Sequence, residues 1–135
     1  MVRLKLELHG VTPTKGFNPN FDICLEFGEK YENEFQKILE SKEIEIKTDR
    51  ICQRTGNVFV EFESRGKDSG LNRTTATYWV YCLWSEVRKL QTYILIPTAR
   101  LKKLIKQNNY KEQRGGDNFS TKGYLVPKEE LLKLV

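Results

Sequence analysis

A chain of 135 residues with 39% hydrophobic and 30% charged residues has the length of one domain, reads as globular and soluble, and holds enough apolar material for a real core. Its net charge of +5 leans toward an anionic partner without saying anything about fold. Cys24, Cys52 and Cys82 are far apart, no C-x-x-C occurs, His9 is the single histidine, no apolar leader opens the chain, and the uncharged run Thr74–Trp84 is too short to span a bilayer; this excludes a zinc site, a Cys-His nucleophile and a membrane partner, and points to free thiols in a reducing, intracellular compartment.

Residues 2–9 alternate apolar and polar, the period of a strand at one edge of a sheet. Residues 10–20 carry two Pro, two Gly and two Asn, which is loop chemistry. Phe27–Leu39 reads as a helix. Tyr31, Phe35, Ile38 and Leu39 recur at helical spacing, and Glu29 and Glu32 suit the positive N-terminal end. Glu32 lies on the flank of that apolar face, where a carboxylate can point at a sheet edge.

Two alternating runs follow, Ile44–Asp49 and Val58–Glu63, separated by Arg54-Thr55-Gly56. Alternation with β-branched and aromatic residues predicts two half-buried strands, and the Gly predicts a three-residue hairpin loop with Gly56 in the left-handed region. In that register Gln53 faces Asn57, Asp49 faces Glu61 and Lys47 faces Glu63. Glu45, Lys47, Asp49, Glu61 and Glu63 then line one face, and Ile44, Ile46, Cys52, Val58, Val60 and Phe62 the core face. Carboxylates this close repel unless a cation neutralises them. Hard oxygen ligands suit Mg²⁺ or Mn²⁺, which can activate water and stabilise a phosphoryl-transfer transition state. Lys47 or Lys67 can add positive charge beside a scissile phosphate. The plain alternative is a solvated face of ordinary Glu–Lys pairs.

Ser64–Gly70 is a loop with Arg65, Lys67, Ser69 and two glycines, a set able to approach and hold a phosphate. Leu71–Ala76 is short, helical or irregular, with Arg73, Thr74 and Thr75 in reach of a backbone phosphate. Thr77–Trp84 is a strand buried on both faces or a helix, and its Tyr78, Trp79 and Tyr81 are read as core ahead of base-stacking. Tyr93–Pro97 is a second apolar strand, reached through a long polar connection, Ser85–Thr92. Thr98–Gln107 is an amphipathic helix with Thr98 as N-cap, Leu101, Leu104 and Ile105 inward, and Arg100, Lys102, Lys103 and Lys106 outward. Residues 114–123 read as a flexible loop that brings Arg114 and Lys122 to phosphate, with Asp117 a remote further metal ligand. Tyr124–Val126 reads as an edge strand. Pro127 opens a terminal helix docked by Leu131, Leu132 and Leu134.

Asp49, eleven intervening residues, then Glu61-Phe62-Glu63 resembles the Asp…(Asp/Glu)-x-Lys signature of the PD-(D/E)XK nuclease superfamily. The longer string IEIKTDR…TGNVFVEFESRGKDSGL…TTATYWVY…ILIPTARLKKLI is similar to small nuclease-like proteins of that superfamily encoded by phages. The likeness runs from about Phe21 to Leu104, with a weaker tail through GGDNFSTKGYLVP. It implies an α/β (α+β) fold with a restriction-endonuclease-like core: an N-terminal helix packed on a mostly antiparallel mixed sheet, with further helices. The chain would be one domain, with residues 1–20 a strand and loop, 21–107 the core, and 108–135 a loop and C-terminal helix.

The resemblance also implies a metal-dependent DNA endonuclease using Mg²⁺, with Mn²⁺ as substitute. Asp49 and Glu61 are its metal ligands. A Glu of the first helix faces the metal, Glu32 first and Glu29 second, and Glu63 or Lys47 orients the attacking water or takes its proton. Arg65, Lys67, Ser69, Arg73 and Lys122 are the expected DNA contacts, and cutting both strands would take a homodimer. Glu63 stands where the motif has Lys. That departure leaves open whether Lys47, Lys67 or no lysine supplies the charge, and whether the chain is a catalytically inactive DNA-binding relative. A rival site exists in Glu45-Ile46-Lys47, itself an E-x-K, with Asp22 upstream, although a whole helix separates the two.

Overall fold

The structure is a computed structural model that describes residues 19–41 and 43–134, with side chains from residue 25 onward. The predicted strand over residues 2–9, the loop residues ahead of Pro19, and the side chains of Asp22 and Cys24 lie outside the described residues. The chain divides between Lys37 and Ile38 into two compact units, taken in turn below.

The first unit carries α1, Pro19–Glu40, as far as Lys37; the last turn of the helix belongs to the second unit. It starts earlier than the apolar spacing indicates. Pro19 is its first residue, a position where a missing N–H is no loss. Phe27 and Tyr31, one turn apart, have ring centroids 4.5 Å apart. At the other end the Ser41 hydroxyl donates to the Ile38 carbonyl at 2.8 Å, satisfying one of the last carbonyls of the helix.

The second unit is mixed α+β with two sheets. β1 (Ile44–Asp49) runs parallel to β4 (Tyr78–Ser85), which pairs antiparallel with β5 (Leu90–Pro97). The other sheet has the order β3 (Lys67–Asp68), β2 (Asn57–Ser64), β7 (Thr121–Pro127), β6 (Glu112–Gly115), all antiparallel. Short helices join them: α2 (Cys52–Thr55), α3 (Gly70–Arg73), α4 (Thr98–Gln107) and α5 (Lys128–Leu132), with a 3-10 turn at Asp117–Phe119. One core serves both sheets. Trp79, Tyr81 and Ile96 of the first meet Val58, Val60 and Val126 of the second, with Leu101, Leu104 and Leu131 from the helices. Cys52 and Cys82 are buried free thiols. No helix among the described residues is long and apolar enough to cross a membrane.

The predicted hairpin does not form. β1 and β2 lie in different sheets: Lys47 is opposite Tyr81 and Asp49 opposite Leu83, while Glu61 is opposite Gly123. The cause is local. The Asp49 carboxylate accepts the N–H groups of Ile51 and Cys52 at 2.9 and 2.8 Å, which turns the chain into α2 instead of back along β1. Gly56 is left-handed as expected, with φ 76°, but as the C-cap of α2.

The faces of β1 are also inverted. Partners in the ladder share a face, and Glu45, Lys47 and Asp49 pair with Trp79, Tyr81 and Leu83. The charged row therefore lies on the side of the inward aromatic row, and Ile46, expected in the core, is 64% exposed. Lys47 is tolerated there because Glu45 binds it at 2.9 Å and the Trp79 ring lies 5.6 Å beneath its ammonium. On β2 the expected alternation holds, with Val58, Val60 and Phe62 buried.

Thr77–Trp84 resolves as strand β4, with Trp79 and Tyr81 fully buried. The connection to β5 is a tight turn over residues 86–89, since pairing resumes at Leu90. Helix α4 has the predicted bounds and inward leucines. Thr98 is not its cap: Pro97 takes that position, and the Thr98 N–H donates to the Thr77 carbonyl at 2.9 Å. The predicted loop over 114–123 keeps a turn only at its centre, residues 116–120; its two ends are strands, with Arg114 opposite Lys122, and β7 is an inner strand between β2 and β6. Gly123 reads as flexibility in the sequence, yet it clears space for an aromatic ring: a Cβ there would come 2.5 Å from Cζ of Phe59. Pro127 ends β7, and α5 follows from Lys128 with Leu131 buried and Leu132 exposed.

Candidate functional site

β1 ends on Asp49, which is 8% exposed. One carboxylate oxygen accepts Ile51 and Cys52; the other accepts the Phe59 N–H at 3.2 Å. From β4 the Tyr81 hydroxyl donates to the Phe59 carbonyl at 3.2 Å. Phe59 is thus gripped by N–H and C=O from the first sheet. These two bonds join the sheets where a β1–β2 ladder was expected. Two residues along β2, Glu61 accepts the Ser69 hydroxyl at 2.6 Å. Gly70, at φ 46°, packs so closely that a Cβ would sit 2.8 Å from the Glu61 carbonyl carbon.

Tyr81 feels these charges. Burial is the main influence raising its pKa; the Trp79 side chain works against it, and the negative charges of Asp49, Glu45 and Glu61 add to the rise. Three carboxylates from β1 and β2 therefore act on one buried hydroxyl. Glu45 is itself perturbed. Burial works to raise its carboxyl, but hydrogen bonds from Thr74 and Lys47 and the Lys47 charge outweigh it, leaving the pKa below its ordinary 4.5.

A lowered folded-state pKa stabilises the fold above the unfolded value, and that contribution is lost as pH falls through the folded value. Wild type is accordingly expected to exceed Glu45→Gln in urea resistance at neutral pH, and the gap should narrow once pH drops below 4.5. A gap independent of pH would mean that shape, not ionisation, is what Glu45 contributes.

β1 and α3 also border an open cleft of about 660 Å³, lined by Glu43, Glu45, Gly70, Arg73 and Thr74 among others. Of the expected DNA contacts, Arg73 stands on this cleft, while Arg65 and Lys67 are exposed around the β2–β3 turn. Ser69 is engaged by Glu61, and Lys122 binds Glu63 at 2.9 Å across the β2–β7 bulge. Asp117 is exposed in the 3-10 turn. Glu29 and Glu32 lie on α1, in the first unit. Among the described residues no three Asp, Glu, His or Cys side chains are grouped to hold a metal. The sequence reading placed Tyr81 in the core but missed the tie its hydroxyl makes. The available signal was a phenol in the most apolar strand, which needs a partner once buried. No protein-family model matches the chain, and no curated protein or solved structure matches it either.

Proposed function

We propose that the chain is a metal-dependent DNA endonuclease of the PD-(D/E)XK type, with the second unit as a restriction-endonuclease-like core. One observation carries the reading: Asp49, at the end of β1, is tied to β2 through the Phe59 N–H at 3.2 Å, two residues from Glu61 on the same strand, with Lys47 of β1 bound to Glu45. A pair of carboxylates with a lysine beside them, in a basic protein, is what metal-assisted phosphodiester hydrolysis calls for.

The donor chemistry fits Mg²⁺ or Mn²⁺. Such ions take oxygen ligands, and Mg²⁺ is commonly held by one or two carboxylates with water and phosphate completing its shell. Asp49 and Glu61 would hold it, and when bound it would acidify a water and offset charge on the phosphate. The chain's own residues do the positioning. Backbone N–H groups fix the Asp49 carboxylate, and Ser69 fixes Glu61. Lys47 takes the cationic role of the motif's lysine and donates a hydrogen bond to orient the attacking water. Lys47 is preferred to Glu63 for its charge, since both are ion-paired at 2.9 Å, Lys47 with Glu45 and Glu63 with Lys122. Cutting both strands takes two such sites, hence a homodimer.

The second reading is a catalytically inactive DNA-binding relative. It is favoured by the internal partners of four candidate carboxylates: backbone on Asp49, Ser69 on Glu61, Lys122 on Glu63, Lys47 on Glu45. Nicking of supercoiled plasmid in Mg²⁺, Mn²⁺ or EDTA decides between them. Wild type should nick with either metal and not in EDTA, and Asp49→Asn and Glu61→Gln should each lower the rate on the order of 100-fold. Nicking that survives both but fails in Glu45→Gln would move the site to Glu45 and Lys47. Metal-independent DNA binding without nicking would favour the inactive relative.

A further inference from the structure

The segment that holds Asp49 inward presents a different chemistry outward. Ile51 and Cys52 give their N–H groups to Asp49, while Arg50, Ile51, Gln53 and Arg54 are exposed. Together with Glu86 and Val87 of the β4–β5 turn they enclose a cleft of about 540 Å³. That is a volume suited to one ligand moiety of nucleotide size. The lining is divided. Neither Arg50 nor Arg54 makes an ion pair among the described residues. Ile51 and Val87 are apolar and open, 50% and 88% exposed. The opposing carboxylate, Glu86, is already bound by Lys89 at 3.1 Å.

We propose that this cleft is a subsite for an unpaired nucleotide of a DNA strand. The two guanidiniums take the phosphodiester, whose two non-bridging oxygens suit their forked donors. Ile51 and Val87 take the face of the base. In a duplex that face is covered by stacking, so an apolar bed beside paired arginines selects a strand whose bases are unstacked. Arg50 directly follows Asp49 in the chain, so a strand seated here passes the end of β1 that carries the proposed metal ligand. The inference deepens the nuclease reading, on which it rests for its meaning: the substrate class is single-stranded or branched DNA.

Binding can be read without cleavage, from the fluorescence anisotropy of a labelled oligodeoxythymidylate with the full chain in EDTA, against a duplex of equal length. Wild type should bind the single strand more tightly than the duplex. The double variant Arg50→Ala/Arg54→Ala should bind the single strand about tenfold more weakly at low salt, with the slope of log K against log salt reduced by about 0.7, the loss of one single-strand phosphate contact. Val87→Asp, at an exposed turn, should weaken single-strand binding and leave duplex binding unchanged, and Glu86→Gln should strengthen the former. Unaltered thermal unfolding of each variant confirms that the fold is intact. Equal affinity for both DNA forms, or wild-type affinity in the double variant, overturns the subsite. A chain that nicks nothing yet shows this binding pattern refutes the nuclease and keeps the subsite; full nicking with no such pattern does the reverse.

Discussion

Asp49→Ala should lower the unfolding free energy by about 2–3 kcal/mol, because three backbone N–H groups, one buried and two part-buried, lose their acceptor together and a buried donor left unpaired costs about 1–3 kcal/mol. The groups are those of Ile51, Cys52 and Phe59. Asp49→Asn keeps one oxygen, which can still accept Ile51 and Cys52. Its amide then meets the Phe59 N–H donor to donor, for a loss of about 1–2 kcal/mol. Urea denaturation followed by circular dichroism measures both. The comparison separates two roles of one side chain. If Asp49 also binds the metal, the folded Asn variant is as inactive in plasmid nicking as the Ala variant. Wild-type nicking by the Asn variant would reduce Asp49 to a structural tie between the sheets.

The second large effect is expected at Gly70. Its φ of 46° is unfavourable for any residue with a side chain, and a Cβ would collide with the Glu61 carbonyl oxygen, a backbone atom inside β2. Neither partner can rotate away, so Gly70→Ala should cost about 3 kcal/mol or more, strain and overpacking together. The displaced element carries Ser69 and presses on Glu61, so nicking should fall as well. Gly66→Ala is the control. It has φ 74° with nothing within 4 Å of the added carbon, which leaves only the left-handed strain of about 1–2 kcal/mol. Thermal melts of the two variants side by side test the argument, and equal losses would show that the Gly70 contact relaxes.

What the sequence made legible was local. Helix α4 follows from the spacing of Leu101, Leu104 and Ile105, and β2 from the alternation of Val58, Val60 and Phe62, because each pattern names the buried face by itself. β1 misled because its alternation is symmetric: Ile44 and Ile46 or Glu45 and Lys47 can face inward, and the choice belongs to β4, a strand more than thirty residues away. The hairpin failed on a single side chain, since Asp49 binds the two amides after it and bends the chain into α2. Gly123 was misread for want of its neighbour, the Phe59 ring. In the candidate site, Asp49, Glu61, Glu45 and Lys47 were all named from motif and spacing. What holds them was not, because Tyr81 reaches Phe59 and Ser69 reaches Glu61 from another strand and a loop.

Neither strand that carries the candidate site finds its long partner close behind it in the chain; β3, just after β2, covers only Glu63 and Ser64. β1 waits for β4, where Ile44 meets Tyr78, and β2 waits for β7, where Asn57 meets Pro127. Pairing over such separations is slow, since loop closure comes before any contact rewards it. β4 and β5, joined by a tight turn, should therefore gain amide protection first in pulse-labelled hydrogen exchange, with Phe59 and Glu61 among the last. During synthesis the apolar row Val58, Val60 and Phe62 stays beside an unpaired edge until Thr121–Pro127 has emerged. That interval is when another chain can capture it. Yield of folded protein should then be governed by how quickly the last strand arrives, rather than by the stability of the finished fold.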